Sequence, residues 1–161
     1  MPDNFLTITQ ASADVTNSIA DLVCVAKTIN AAALVVGDLI DVEAFGEADP
    51  TSTVQAFSAS ATINGTKVLS AFSQSLGSNA TLTKQGWNLK VKFQVRSGLI
   101  ACQFMLVHST VSGTIAIYRI GSISNVAVDI SQPVSISVAV NHVAASAAKI
   151  RLGGASLRRV S

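Results

Sequence analysis

The chain has 161 residues, of which 49% are hydrophobic and only 12% are charged, and its formal net charge is +2. This length suits one domain with a full core, and the charged share is about half of the usual one. The longest fully apolar run, Ala31–Val36, is much shorter than the roughly 18 residues that cross a bilayer, which excludes a helical membrane span. The apolar excess therefore indicates a core together with subunit interfaces.

The charges are distributed unevenly along the chain. Residues 1–49 carry one lysine against eight carboxylates, a net charge of −7, whereas residues 50–161 carry ten cations against one carboxylate, a net charge of +9. Two interpretations stay open. Acidic and basic strands could be neighbours within one sheet, or an acidic edge of one subunit could meet a basic edge of the next.

The first 21 residues are rich in Thr, Ser, Asn, Asp and Ala, with scattered Phe5, Leu6 and Ile8. This composition predicts an extended N-terminal arm or a weak edge strand, followed by one domain over 22–161. The start of the chain has no basic stretch followed by an apolar one, so we expect no secretory signal peptide.

Short runs of alternating or apolar residues then follow, with turn residues about every 8 to 12 positions, which is typical of a β-sandwich or barrel. The strongest turn is Asn64-Gly65, because both residues tolerate the positive φ of a type I′ hairpin. Gly153-Gly154 indicates a bulge or a tight turn. The predicted strands are 22–29, 39–45, 54–63, 66–71, 87–96, 99–107, 114–120, 126–130, 134–140, 149–152 and 156–160.

The strand over 87–96 has the clearest pattern, because alternate side chains of a strand point to opposite faces. Its basic side carries Lys90, Lys92 and Arg96. Its apolar side, which we expect to face the core, consists of Trp87, Leu89, Val91, Phe93 and Val95.

Cys24 and Cys102 each lie within an apolar strand pattern. We expect two buried, reduced thiols that act as small hydrophobic side chains. A disulfide between neighbouring strands is the alternative, and the spacing does not decide it.

Three segments in order resemble the small jelly-roll modules of tailed-bacteriophage virion proteins, which serve as capsid decoration proteins, head fibres and tail-fibre tips. They are the Gly-Asp strand at 37–46, the Asn-Gly turn within 64–69, and the Trp-led basic strand at 86–96; the closing segment Arg-Leu-Gly-Gly-Ala-Ser-Leu-Arg at 151–158 also fits. The resemblance covers about residues 22–161. It implies an all-β, antiparallel jelly-roll sandwich of about eight to ten strands.

The resemblance also implies a non-enzymatic structural protein on the surface of a virion, made in the host cytoplasm and often a homo-trimer. Because only about 21 residues precede the module, a compact decoration protein on a phage head is favoured over a fibre. Its partners would be further copies of itself and the major capsid protein or another virion protein, with attachment through Phe5, Leu6 and Ile8. The alternative is a receptor- or glycan-binding tip module of a head or tail fibre.

Other chemistry has weaker support in the sequence. His108 and His142 have no nearby ligand partner, so we expect no metal site or cofactor. The basic strip of residues 87–96 has its aromatics on the opposite face, which argues against nucleic-acid binding. The carboxylates between 38 and 49 lack calcium-loop spacing and are interpreted as a solvated face; they are Asp38, Asp41, Glu43, Glu47 and Asp49.

Overall fold

A computed structural model of the chain describes residues 6–10, 15–16, 20–48, 56–69, 74–75, 85–109, 115–121, 123–142 and 149–160. All secondary structure in these ranges is β. The strands are β1 (Leu6–Gln10), β2 (Val15–Thr16), β3 (Leu22–Ile29), β4 (Leu39–Ala48), β5 (Ala56–Ile63), β6 (Thr66–Leu69), β7 (Gln74–Ser75), β8 (Gln85–Arg96), β9 (Leu99–Ser109), β10 (Ile115–Ile120), β11 (Ser124–Ala127), β12 (Val134–His142) and β13 (Lys149–Arg159).

The strands form two antiparallel sheets. The larger sheet has the order β1-β13-β4-β8-β9-β10, with β2 also pairing with β13 and β11 with β9; the smaller has the order β3-β12-β5-β6, with β7 pairing with β5. Strands β3 and β12 pair in the smaller sheet, while their successors β4 and β13 pair in the larger. This alternation between sheets is the jelly-roll arrangement, so the predicted all-β sandwich is confirmed.

The strand boundaries differ from the prediction in instructive ways. The described residues form thirteen strands, against the predicted eight to ten. The additional strands include β1, which lies in the segment predicted as an arm or weak edge strand, and β2 and β7, which have two residues each and are too short to show an alternating pattern. The two closing strands are one strand, β13, whose pairing with β4 shifts between Leu152 and Gly154. The double glycine is therefore a bulge within a strand. The predicted strand 126–130 begins earlier, at Ser124.

The Asn64-Gly65 turn joins β5 to β6 as predicted. Asn64 has φ 46° and Gly65 has φ 80°, the left-handed values that a type I′ turn requires at both positions. The Asn64 side-chain oxygen also accepts a hydrogen bond of 2.8 Å from the Ser135 backbone N–H, which ties the turn to β12.

The core lies between the two sheets and is formed by the inward-facing positions of both. Its largest fully buried side chains are Phe93, Phe104, Ile40, Ile63, Leu89, Ile100, Leu106, Ile136, Ile150 and Leu152. Cys24 on β3 and Cys102 on β9 lie in different sheets, and both are free and fully buried. Burial raises the pKa of each thiol to about 12.

Candidate functional surface on the outer face of the larger sheet

The outer face of the larger sheet is built from the solvent-facing positions of β13, β4 and β8. The acidic residues of β4 stand beside cations on both neighbouring strands. Asp41 lies opposite Lys92 on β8 and opposite Arg158 on β13, and Glu43 pairs with Lys90 at 2.8 Å. The Lys90 ammonium, with Arg158 nearby, lowers the pKa of the Glu43 carboxyl.

These contacts bear on the uneven charge distribution. Each ion pair found joins a carboxylate from the acidic first part of the chain to a cation from the basic remainder, within one chain. The pairs are Lys67–Asp21 at 2.7 Å, Lys90–Glu43 at 2.8 Å, Arg151–Glu47 at 4.0 Å and Arg159–Asp38 at 2.6 Å. Three of these pairs join β4, or the residue before it, to the neighbouring strands β8 and β13, and the Lys67–Asp21 pair joins β6 to the residue before β3. The described pairs therefore require no second subunit.

The Asp38–Arg159 pair is buried and connects three parts of the chain. Arg159 Nη2 lies 2.6 Å from Asp38 Oδ1, and Nη1 donates to the carbonyl of Ala33 at 3.1 Å. The other Asp38 oxygen accepts a 2.8 Å hydrogen bond from the Val35 backbone N–H. Asp38 therefore secures the loop before β4 and the end of β13, which gives the Gly-Asp motif a structural role.

Phe45 is the one aromatic among the described side chains that is largely exposed, at 56%. It stands between Gly154 on β13 and Asn88 on β8, and its ring lies over Gly153, where a Cβ would come within 2.7 Å of Cε2. The Asn88 side-chain oxygen beside it is buried and accepts no hydrogen bond from the described residues. An exposed aromatic ring with polar side chains nearby can stack against an apolar face of a ligand.

The sequence of β4 contains a signal for the exposure of Phe45. In β4 the solvent-facing positions alternate with the buried ones, and Phe45 falls in the same phase as Asp41, Glu43 and Glu47. An aromatic residue in the acidic phase of an amphipathic strand indicates exposure. The next position of the strand is buried and is occupied by Gly46, whose lack of a side chain leaves room for the Trp87 ring.

A pocket of about 190 Å³ opens on the same face, near the start of β4. We call it the outer pocket. Its residues come from β4, β8, β9 and the segment before β11, and they are Leu39, Lys92, Phe93, Gln94, Arg96, Ala101, Cys102, Gln103 and Ile123.

The outer pocket adjoins an apolar corner formed by Val35, Val36, Leu39 and Val160. The Val160 backbone N–H donates to the Leu39 carbonyl at 2.8 Å, and the Asp38 N–H donates to the Val35 carbonyl at 3.1 Å, which holds these segments together. With Ile123, the corner holds five of the seven large hydrophobic side chains that are exposed among the described residues. Such clustering marks an interaction site more often than scattered exposure does.

The structure places the residues singled out in the sequence as follows. The apolar side of β8 is buried, with no residue more than 3% exposed: Trp87, Leu89, Val91, Phe93 and Val95. Leu6 and Ile8 lie in β1, opposite Arg158 and Ser156 of β13. Phe5 and Asp49 lie outside the described residues, and of His108 and His142 only the strand position is described.

The expected arm forms part of the larger sheet where it is described. Strand β1 pairs with β13 over five residues, and β2 pairs with Lys149 and Ile150 of the same strand. In the strand order, β1 is the edge of the sheet. The predicted division at residue 22 coincides with the start of β3, and the division into an arm and a domain stays a prediction.

The described part of the chain contains no group of three or more His, Cys, Asp or Glu side chains placed to hold a metal ion. It also contains no helix with the length and hydrophobicity that a membrane crossing requires.

No protein-family model matches the sequence, and no curated protein was found to be similar to it. Solved structures show remote likeness. The CBM2 module of the evolved Dit of Lactobacillus casei BL23 phage J-1 has a TM-score of 0.36 and 10% identity, covering 84% of this chain and 69% of that chain. A chain of the infectious bursal disease virus Gt strain has a TM-score of 0.35 and 13% identity, and a legume lectin-like domain from Entamoeba histolytica has 0.29 and 6%.

The coverage of these structures is uneven. The match to the bursal disease virus chain covers 98% of this chain but only 42% of that chain. The match to the lectin-like domain covers 80% of this chain and 75% of that domain. TM-scores this low carry no argument about the function of this chain, so the function proposed below rests on its own residues.

Proposed function

We propose that this protein is a non-enzymatic structural protein of a phage particle, and that it decorates the outside of the head. The observation that carries the proposal is the position of three of the four segments on which the sequence resemblance rests; the fourth, the Asn-Gly turn, joins β5 to β6 in the smaller sheet. The Gly-Asp segment enters β4, the Trp-led segment lies in β8 and the closing Arg-Leu-Gly-Gly segment lies in β13. These are three consecutive strands of one sheet, β13-β4-β8, within the jelly-roll fold that the resemblance implies.

Strand β1 is the proposed attachment element. It is bound on one side to β13, and as the edge strand of the sheet it offers its other side for pairing with a strand of the capsid protein. Phe5, Leu6 and Ile8 supply the apolar side chains for this contact. Several copies in one assembly would strengthen a modest single contact through effective concentration.

The test is deletion of residues 2–21, followed by a circular-dichroism melt and a binding assay on particles that lack the protein. We expect a folded sandwich that no longer decorates the particle. Unchanged decoration would place attachment elsewhere, and loss of folding would show that β1 belongs to the core. A triple variant, Phe5→Ser with Leu6→Ser and Ile8→Ser, keeps the backbone pairing; Thr7→Ser with Thr9→Ser is its matched control and should bind normally.

A second function is favoured by Phe45. A glycan-binding module presents an exposed aromatic ring to a sugar, with polar groups beside it for the hydroxyls, and Phe45 is exposed among Asn88, Glu43 and Glu47. Glycan-array binding that is lost in Phe45→Ala, but kept in Val23→Ala, would support it. Val23 is a suitable control because it is 48% exposed and lies in the smaller sheet. If the protein binds no glycan on the array, the glycan-binding function is refuted and the decoration function remains.

A further inference from the structure

The side chains around the outer pocket present mainly hydrogen-bond donors. Arg96 Nε donates to Gln94 Oε1 at 2.9 Å, which uses the Gln94 carbonyl and leaves its amide N–H groups and the two Arg96 Nη groups for a ligand. Lys92 adds an ammonium with three donors. A site of this kind complements an acceptor-rich anion such as a carboxylate, which accepts hydrogen bonds through both oxygens.

The two cations of the outer pocket differ from four other cations of the described residues. Lys67, Lys90, Arg151 and Arg159 each lie within 4.0 Å of a carboxylate. Lys92 and Arg96 are exposed, and no ion pair joins either of them to a carboxylate in the described part of the chain. On the same face Lys90 and Arg151 are paired within the chain, whereas the outer pocket holds two cations beside the single carboxylate of Asp41, which lies on β4 opposite Lys92. Among the described residues, the pocket therefore has an excess of positive charge.

The remaining wall of the outer pocket is aliphatic. Leu39 is 39% exposed and Ile123 is 55% exposed, and the wall continues through Leu39 into the apolar corner. Phe93 lies beneath the pocket with no exposed surface, so its ring is not available for stacking. The pocket therefore combines a cationic, donor-rich side with an aliphatic side.

We propose that the outer pocket binds a carboxylate side chain from an acidic segment of a partner protein, whose neighbouring aliphatic residues pack on Leu39 and the apolar corner. The volume of about 190 Å³ suits one such side chain. The charge complementarity selects an acidic partner, and the aliphatic wall selects a polypeptide over a sugar, since a pyranose ring binds best on an exposed aromatic face. The site is distinct from the β1 edge and from Phe45.

The experiment is an NMR titration of the full chain with the peptide acetyl-Leu-Glu-Leu-amide, and with acetyl-Leu-Gln-Leu-amide as the neutral isostere. We expect saturable shifts at Lys92, Gln94 and Arg96 with the glutamate peptide, weaker at high salt because the cations are exposed. The glutamine peptide should bind roughly tenfold or more weakly, the ratio expected for loss of a charge-assisted hydrogen bond. Equal binding of the two peptides would overturn the proposal.

Variants assign the effect to the pocket. Lys92→Gln with Arg96→Gln should abolish the preference for the glutamate peptide. Lys90→Gln is the matched control, because Lys90 is on the same strand and face but is engaged with Glu43, and it should keep the preference. A preference that survives in the double variant refutes the site.

Two further outcomes would overturn the assignment of the occupant. Glucuronate that shifts the same resonances, while neither peptide does, would identify an acidic sugar as the ligand. Pocket resonances that change with protein concentration, together with a rising mass in light scattering, would show that a second copy covers this face. Because no particle is used, these results are independent of whether the protein decorates a phage head.

Discussion

Phe93 and Lys92 are adjacent on β8 and show what alternation means for single side chains. Phe93 is fully buried, whereas Lys92 is exposed on the outer face. Phe93→Ala should lower the free energy of unfolding by about 3–5 kcal/mol, because it removes a large core side chain and leaves a cavity. Lys92→Ala should change it by no more than about 0.5 kcal/mol. Urea melts that show the reverse order would contradict the assigned faces.

We expect the two cysteines to make the protein less stable as the pH rises into the alkaline range. Each thiol has a pKa raised from 9.0 to about 12 by burial, so it stays protonated in the folded protein while it ionises in the unfolded chain. The contribution of each thiol to the free energy of unfolding is therefore intact below pH 9. It is lost between pH 9 and about 12, by roughly 1.4 kcal/mol per pH unit for each thiol.

Urea melts from pH 8 to pH 11 measure this effect. The double variant Cys24→Ala with Cys102→Ala is the control for lysine and tyrosine titration, and its free energy of unfolding should fall less steeply with pH than that of the natural protein. Parallel slopes would show that the thiols do not couple to folding. A thiol reagent should modify the cysteines only after unfolding, because the thiolate is the reactive form.

At the scale of strands, Gly46 allows β4 to pack between β13 and β8. A Cβ there would lie 1.9 Å from the Arg151 carbonyl oxygen and 2.5 Å from the Trp87 ring. Gly46→Ala should therefore destabilise the protein by about 2–3 kcal/mol or more, as overpacking does. Gly86→Ala is the matched control, because Gly86 lies next to Trp87 on β8 and has open space around it. Thermal melts that rank the two variants equally would contradict this role of Gly46.

The buried Asp38–Arg159 pair joins the start of β4 to the end of β13, and we expect its loss to destabilise the protein. Both side chains are buried, at 3% and 6% exposure, so Asp38→Ala leaves an uncompensated buried cation and should cost about 3–5 kcal/mol. Glu43→Ala, which removes an exposed partner of Lys90, should cost about 1 kcal/mol or less.

A double-mutant cycle of Asp38→Ala with Arg159→Met checks the mechanism. The double variant should be more stable than the sum of the single changes predicts, since no charge is left buried without a partner. Strictly additive losses would indicate that the two residues act separately.

For the whole molecule, we propose a homo-trimer. The low content of charged residues and the apolar excess of the chain support self-association, and the sequence resemblance supplies the number three. Because the described ion pairs are satisfied within one chain, a trimer should keep its mass in both low and high salt when measured by light scattering. A stable monomer at micromolar concentration in both buffers would end this proposal.

The fold class follows from the sequence, since alternation reports which face of a strand is buried. The pattern of 87–96 marked the buried side of β8, and Asn64-Gly65 marked the hairpin, because each depends on neighbouring residues alone. The strands β2 and β7 could not be predicted from the sequence, because two residues are too few to show an alternation of buried and exposed positions.

Which strands are neighbours is visible in the three-dimensional structure alone. It placed acidic β4 between basic β8 and β13, joined Asp38 to Arg159, and brought Leu39, Lys92, Arg96 and Ile123 into one pocket. The physical reason is that pairing between strands far apart in the sequence depends on how the whole chain winds between two sheets. Local patterns show which side chains are buried, but they do not show which other strand each side chain will meet.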